Sequence, residues 1–304
     1  GHAVPVEIMV MIANKLNVDP WFTIPHCAND LHGSTSVADP FTRQFAQYVH
    51  DNLNSNLKAY VEYSNETWNG GYAVAQYLRS EGVRLGVSTD PNLAQLRYYA
   101  QQSAKLFGIW NEIFGGRSDR RLVRVLSTQS ANPWTGLQVM QWQNTYEQAD
   151  ALSIAPYFNT RPNDEAAVVG YSLDQLFNYI NNTLVPANIT EMNNNAANAR
   201  QYGLELLAYE SGQHLVESGG QVANTTLNNL YNSANRDPRM GTAYTTFLNG
   251  WKNAGGHLME HFLNVMHYDA GGVGRFGSLE SMDQASSPKY DALMNFITNN
   301  PKWW

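Results

Sequence analysis

The feature that most constrains this chain is an alternation along its 304 residues. Short apolar runs recur between longer segments with helical spacing. Val6–Asn17 carries Ile8, Met9, Met11, Ile12 and Leu16 on a helical face, and Asp19-Pro20 ends it before a strand at Trp21–His26. A helix is expected from Phe41 to Leu53, with Asp39 as N-cap and Pro40 at the first helical position. Further strands are expected at Lys58–Ser64, Leu122–Ser127, Ala151–Phe158, Leu204–Glu210 and His257–Val265. Between and after them, helices are expected at Asn92–Phe114, Thr135–Gln148, Leu173–Asn181, Ile189–Tyr202, Thr225–Asn235, Met240–Ala254 and Tyr290–Asn299. Gly115-Gly116 closes the first of these.

Six strands separated by helices predict an α/β fold with a parallel sheet. Several strands end in polar or aromatic residues: His26, Asn65-Glu66, Tyr157, Glu210 and Asn264. In a TIM-type (β/α) barrel the C-terminal strand ends line the active site. A doubly wound nucleotide fold instead presents a glycine-rich phosphate loop, and the chain contains neither GxGxxG nor GxxxxGK[ST]. Gly271-Gly272-Val273-Gly274 follows the last strand and reads as a flexible loop. A single barrel domain over residues 1–304 is therefore expected, with six βα units evident and the first two strands missing or replaced. An open six-strand sheet exposes unpaired edges. A second copy of the chain, or the N-terminal and long-loop segments, is expected to cover them.

Composition narrows the partners. Nineteen basic against 26 acidic residues give a net charge of −7, which provides no footprint for nucleic acid or an anionic membrane. No apolar run reaches the length of a membrane span. A single cysteine, Cys27, excludes an internal disulfide and any multi-cysteine metal site, and it reads as a buried, inert thiol at a strand end. Charged residues are 15 % and aromatics 12 %, with eight Trp and seventeen Tyr. Amides, hydroxyls and flat rings suit a neutral polyhydroxylated ligand, although Trp and Tyr also pack in cores. Residues Gly1–Glu7 lack the basic and apolar pattern of a secretory signal.

Two glutamates sit at expected strand ends. Glu66 closes Tyr60–Glu66, and Glu210 closes Leu204–Glu210, where Leu206, Ala208 and Glu210 share a face. Such a pair can hydrolyse a glycoside, one as protonated acid and one as anion. A gap of about 5–5.5 Å gives retention, and roughly 6.5–9.5 Å admits a water for inversion. Like charges at that range push the two pKa values apart.

These residues resemble a known family. Tyr63-Ser-Asn-Glu66 is similar to the strand-four Asn-Glu signature of the clan A glycoside hydrolases, the cellulase-like retaining enzymes with a (β/α)8 barrel. Ala208-Tyr-Glu210-Ser-Gly212 resembles that clan's strand-seven nucleophile segment. Pro20–His26, Ile154–Tyr157 and His257–Asn264 fall on strands three, six and eight, and Ser287–Leu293 resembles the closing helix. The resemblance implies Glu66 as acid/base and Glu210 as nucleophile. It implies Asn65 on the sugar 2-hydroxyl, Tyr157 hydrogen-bonded to the nucleophile, and His26 at the −1 sugar or orienting a carboxylate. The family's first two strands, the second of which supplies an arginine near the nucleophile, have no counterpart here. The implied activity is retaining hydrolysis of a β-linked polysaccharide, foremost a β-1,4-glucan such as cellulose, with mannan, xylan and mixed-linkage glucan using the same pair. A polymeric substrate implies a secreted or periplasmic protein. The competing reading is a non-catalytic carbohydrate-binding or degenerate barrel.

Other residues carry weaker signals. Trp68 and Trp134 follow expected strands and read as sugar-stacking platforms or as loop packing. Trp21 opens its strand and belongs to the opposite face, and Trp303-Trp304 reads as a surface dock. Glu62 and Arg124 lie mid-strand, so each must pair with the other or with another polar group. His214, His261 and His267 invite a zinc reading, but no HExxH or regular ligand spacing exists, and Asp30 and Asp39 lie in a polar loop. No metal or cofactor is expected. Ser211 lies outside any GxSxG elbow. Asn65, Asn181, Asn188 and Asn224 begin glycosylation sequons of the kind an Asn-rich chain produces by chance.

Overall fold

The computed structural model describes residues 4–28, 40–116, 119–160, 164–217, 224–269 and 274–304. The expected cap Asp39, the loop residue Asp30 and residues 271–273 of the glycine-rich loop lie outside these. The chain divides into two compact units, one of residues 1–153 and 198–205 and the other of residues 154–197 and 206–304.

In the first unit, helix α1 (Val6–Leu16) ends on Asn17 in the left-handed conformation, whose N–H returns to the carbonyls of Ala13 and Asn14. Strand β1 (Trp21–Ile24) follows, then α2 (Phe41–Asn52), β2 (Ala59–Tyr63), α3 (Ala73–Arg84) and α4 (Pro91–Phe114). After α4 come β3 (Leu122–Ser127), α5 (Pro133–Gln141), a 3-10 segment (Trp142–Gln148) and β4 (Ala151–Ile154). Helix α4 begins where the Asp90 carboxylate accepts from the N–H groups of Asn92 and Leu93, and it stops at Gly115 with φ 76°. Strands β1 to β4 pair in parallel, with Trp21 opposite Tyr60, Ala59 opposite Leu122 and Val125 opposite Ala151. Strands β2, β3 and β4 are buried at every residue. This burial accounts for their near-continuous apolar sequence.

The two mid-strand charges are both buried. Glu62 accepts from the Trp21 indole at 2.9 Å. Arg124 grips Asp150 through Nε at 2.7 Å and Nη2 at 2.6 Å and donates to Asn111 at 2.7 Å. Each charge thus takes another polar partner, as burial requires.

The second unit contains β5 (Tyr157–Asn159), α6 (Glu165–Val168), α7 (Leu173–Tyr179), a π-helical turn (Ile180–Leu184) and most of α8 (Val185–Gln201), whose last residues from Asn198 belong to the first. It continues with β6 (Glu205–Ala208), β7 (Gly212–His214), α9 (Thr225–Arg236), α10 (Arg239–Ala254), β8 (Gly256–Met259) and α11 (Pro288–Asn299). Parallel β6 and β8 set Leu206 opposite Gly256 and Ala208 opposite Met259. Strands β5 and β7 form a separate two-stranded ladder. Trp303 docks by donating its indole N–H to the Gly256 carbonyl at 3.0 Å.

The α/β expectation holds: one mostly parallel sheet runs in the order β1-β2-β3-β4-β6-β8. The closed barrel implied by the resemblance is not what the described residues form, because β1 and β8 each have a single sheet neighbour. Several strands are shorter than expected, two of them by half. The run read as Ala151–Phe158 breaks at Ala155-Pro156, since proline has no N–H to give a ladder, and its second half pairs with β7. The run read as His257–Val265 keeps its ladder only to Met259, and Val265 instead bridges Leu279. Cys27 is exposed, in correction of the buried thiol expected: it lies in the turn after β1, and Ala28 takes the buried place.

Candidate functional site

Each glutamate is built into its own unit. In the first, the chain leaves β2 through a tight turn. Ser64 and Glu66 have φ of 58° and 45°, a left-handed conformation that costs a non-glycine residue about 1–2 kcal/mol. Such strain persists only where neighbours over-determine it, and it clusters at functional sites. Here Ser64 donates its N–H to Ile24 at 2.8 Å, and Asn69 closes the turn on the Glu66 carbonyl at 2.9 Å. The Asn69 amide also donates to Glu66 Oε2 at 2.9 Å. Below the turn, Gln95 of α4 donates to the Thr67 carbonyl at 2.6 Å and accepts from Arg79 of α3 at 3.0 Å. Glu66 is half-buried, Asn65 is exposed beside it and Trp68 is half-buried. His26, after β1, packs its ring on Tyr77 at 5.3 Å. Trp134 stands near the start of α5 with 46 % of its surface exposed, free to offer a flat face.

In the second unit, Tyr209 hydrogen-bonds Ile154 at 3.2 Å and leaves Glu210 half-buried beyond the end of β6. The Tyr157 hydroxyl donates to Glu210 Oε2 at 3.0 Å. A hydrogen bond of this kind favours the charged carboxylate. Tyr157 is placed by the small ladder, opposite Gly212. Gly212 has φ 135°, and a Cβ there would lie 2.9 Å from the Tyr244 hydroxyl and 3.1 Å from His261 Nε2, so glycine is required. The Tyr244 hydroxyl accepts from the Gln213 N–H at 3.1 Å and meets His261 Nε2 at 3.1 Å. Burial, with Lys289 as the smaller cause, pushes the His261 pKa down to about 3. Burial also lowers that of His214.

Three residues beside Glu210 or Tyr157 escaped the sequence reading. Phe276 packs edge-on against Tyr157 at 6.1 Å and against Phe262 at 5.4 Å, and Phe262 is 36 % exposed. Together the three rings form an aromatic wall. Glu260 is the third, at the end of β8. The residue is exposed overall, but its carboxyl is desolvated by the surrounding chain, and with the Glu210 charge as second cause its pKa rises to about 7. A signal existed in the polar Glu260-His261 pair after an apolar run. It was obscured because a strand read through to Val265 leaves Glu260 mid-strand.

Of the predicted residues, Asn65, Glu66 and Trp68 share one turn in the first unit, and Tyr157 touches Glu210 in the second. His267 groups with Asp269 and Glu280, with ligand atoms within 4.8 Å. Arg236 already binds both carboxylates, at 3.0 and 2.6 Å, so a cation there would compete with a guanidinium. Neither a protein-family model nor a curated protein matches the chain.

Proposed function

We propose that the protein is a retaining glycoside hydrolase of β-linked polysaccharides, acting foremost on a β-1,4-glucan such as cellulose. In this reading Glu66 protonates the glycosidic oxygen as the bond to the anomeric carbon breaks. Glu210 attacks that carbon to form a glycosyl ester. Glu66, now anionic, then takes a proton from the water that hydrolyses the ester. Asn65 binds the 2-hydroxyl, and His26 orients the sugar at the −1 position. Trp68, Trp134 and the wall of Tyr157, Phe276 and Phe262 stack on pyranose faces. The fold that serves this chemistry is a (β/α) barrel, of which the parallel α/β sheet with carboxylates beyond its C-terminal strand ends is the part that bears on the reaction. A second copy of the chain covers the free sheet edges, and the polymeric substrate makes the protein secreted or periplasmic.

The observation that supports this reading most is the 3.0 Å hydrogen bond from Tyr157 to Glu210. A hydrogen bond to a carboxylate favours its charged form, which a nucleophile needs. The test is turnover of soluble cello-oligosaccharides by Glu66→Gln and Glu210→Gln. Each should lose at least about a thousandfold in kcat, and azide should restore part of it through a glycosyl azide product. Retained turnover in Glu210→Gln rules the mechanism out. Binding without release by the unaltered protein makes it a carbohydrate-binding module instead.

A further inference from the structure

Leu293, Phe296, Ile297 and Asn300 follow one another at the spacing of a single helical face, at and just past the end of α11. That face, with Trp251 of α10, Met259 of β8 and the pair Trp303-Trp304, lines a cavity of about 540 Å³ within the second unit. Small-molecule sites span about 300–1,000 Å³ and are mostly apolar, with a few polar groups. The cavity reaches solvent, since Ile297 is 64 % and Trp304 37 % exposed. The indoles show what its walls can offer. Trp251 donates its N–H to the His257 carbonyl at 2.9 Å, and Trp303 donates to the Gly256 carbonyl at 3.0 Å. Two consecutive carbonyls of β8 are thus already taken, which leaves them closed to a docking strand. What these two indoles still present is ring surface without a donor. Trp304 stands across Trp303 at 4.7 Å and 82°, and Phe296 meets Trp303 edge-on at 6.0 Å.

A saccharide needs hydrogen-bond partners for its hydroxyls, and the polar side chains here are engaged with the protein. Ser278 donates to the Asn264 carbonyl at 2.8 Å, His261 meets the Tyr244 hydroxyl at 3.1 Å, and Asn300 accepts from Lys252 at 2.6 Å. Charge narrows the ligand further. Among the described residues that line the cavity there is no Asp or Glu side chain, in a chain of net charge −7. The ammonium of Lys302 lies 5.5 Å from the centre of the Trp304 ring, and that of Lys252 lies 5.1 Å from the centre of Trp303. Apolar ring faces beside ammonium groups suit a flat, apolar anion. We propose that this cavity is a binding site for a planar aromatic acid, whose ring system stacks on Trp304 and packs against Ile297 and whose carboxylate is received by Lys302. Stacking and apolar burial supply the affinity, and the lysine supplies the preference for an acid.

The test is calorimetric titration of the unaltered protein with 2-naphthoate. It should bind one to one with a Kd of roughly 10–100 µM, and 2-naphthylmethylammonium should bind at least about tenfold more weakly. Cellobiose should not displace it. Trp304→Ala with Ile297→Asn should weaken naphthoate at least about tenfold by removing ring and aliphatic contact. Lys302→Met should keep binding but bring the acid and the amine to similar affinity. All three positions are exposed, so thermal melts of these variants should match that of the unaltered protein. Glu210 does not line the cavity, so Glu210→Gln should bind naphthoate normally whether or not it hydrolyses a glycan. No saturable binding up to about 1 mM overturns the proposal. So does unchanged affinity in the Trp304 and Ile297 double variant, equal binding of the amine by the unaltered protein, or displacement by cellobiose. Light scattering decides against a second copy as the occupant: naphthoate that breaks an assembly into monomers would make the cavity an interface and overturn the assignment.

Discussion

At the residue scale, the account turns on the hydrogen bonds that reach each carboxylate. Glu210 has a tyrosine hydroxyl at 3.0 Å, and Glu66 has an asparagine amide at 2.9 Å. A hydrogen bond to a charged group contributes about 1.5–3 kcal/mol. Tyr157→Phe should therefore lower kcat/KM roughly 10- to 100-fold while leaving the fold intact, measured by initial rates beside a thermal melt. A loss of less than twofold would show that the hydroxyl does not hold the nucleophile. Glu210 was readable because it directly follows the run Leu206–Tyr209, and Glu66 because it lies just past the run that forms β2, while the part of Tyr157 came from the family resemblance. Phe276 was not readable, since it reaches Tyr157 from a loop far along the chain. Cys27 was misread because its expected strand continued two residues past the real end of β1 at Ile24.

At the element scale, termini with chemical markers were legible and close approaches were not. Asp90-Pro91 and Gly115 bound α4 as their capping roles require. Helix α3 had no such markers and was missed. Within it, Gly82 looks like a helix breaker, yet it is a packing residue: a Cβ there would lie 2.5 Å from the Ala94 carbonyl oxygen of α4. Contact with α4 is what a glycine at this position permits, at a propensity cost of about 1 kcal/mol relative to alanine. Gly82→Ala, which raises intrinsic helix propensity, should nevertheless destabilise the protein by about 1–3 kcal/mol through overpacking. Chemical denaturation checks this, and a stabilised variant would mean that α3 does not press on α4. Burial on both faces made β2, β3 and β4 legible as apolar runs. It could not reveal where the run through Pro156 changes partner, because pairing depends on residues distant in sequence.

At the scale of the whole molecule, alternation of helix and strand was enough to specify a parallel α/β sheet, but not its closure. Closure depends on which edges find partners, and local pattern carries no record of that. Among the described residues β1 and β8 each have one sheet neighbour, and α1 carries an apolar surface, where Ile8, Met11, Ile12 and Leu16 are 40–63 % exposed. Exposed edges and apolar faces favour association. Light scattering should find a dimer or larger assembly at micromolar concentration, and Met11→Glu with Ile12→Glu should shift it toward monomer. A monomer across the whole range would refute self-association as the means of covering the edges.

The central claim is that Glu66 and Glu210 carry out a two-step hydrolysis with retention. The most direct measurement is proton NMR of the anomeric signals as cellotetraose or cellopentaose is cleaved. The account predicts that the β-anomer appears first and mutarotates afterwards, with no product from Glu210→Gln unless azide is added. An α-anomer formed first, or equal cleavage by the unaltered protein and Glu210→Gln, would contradict it.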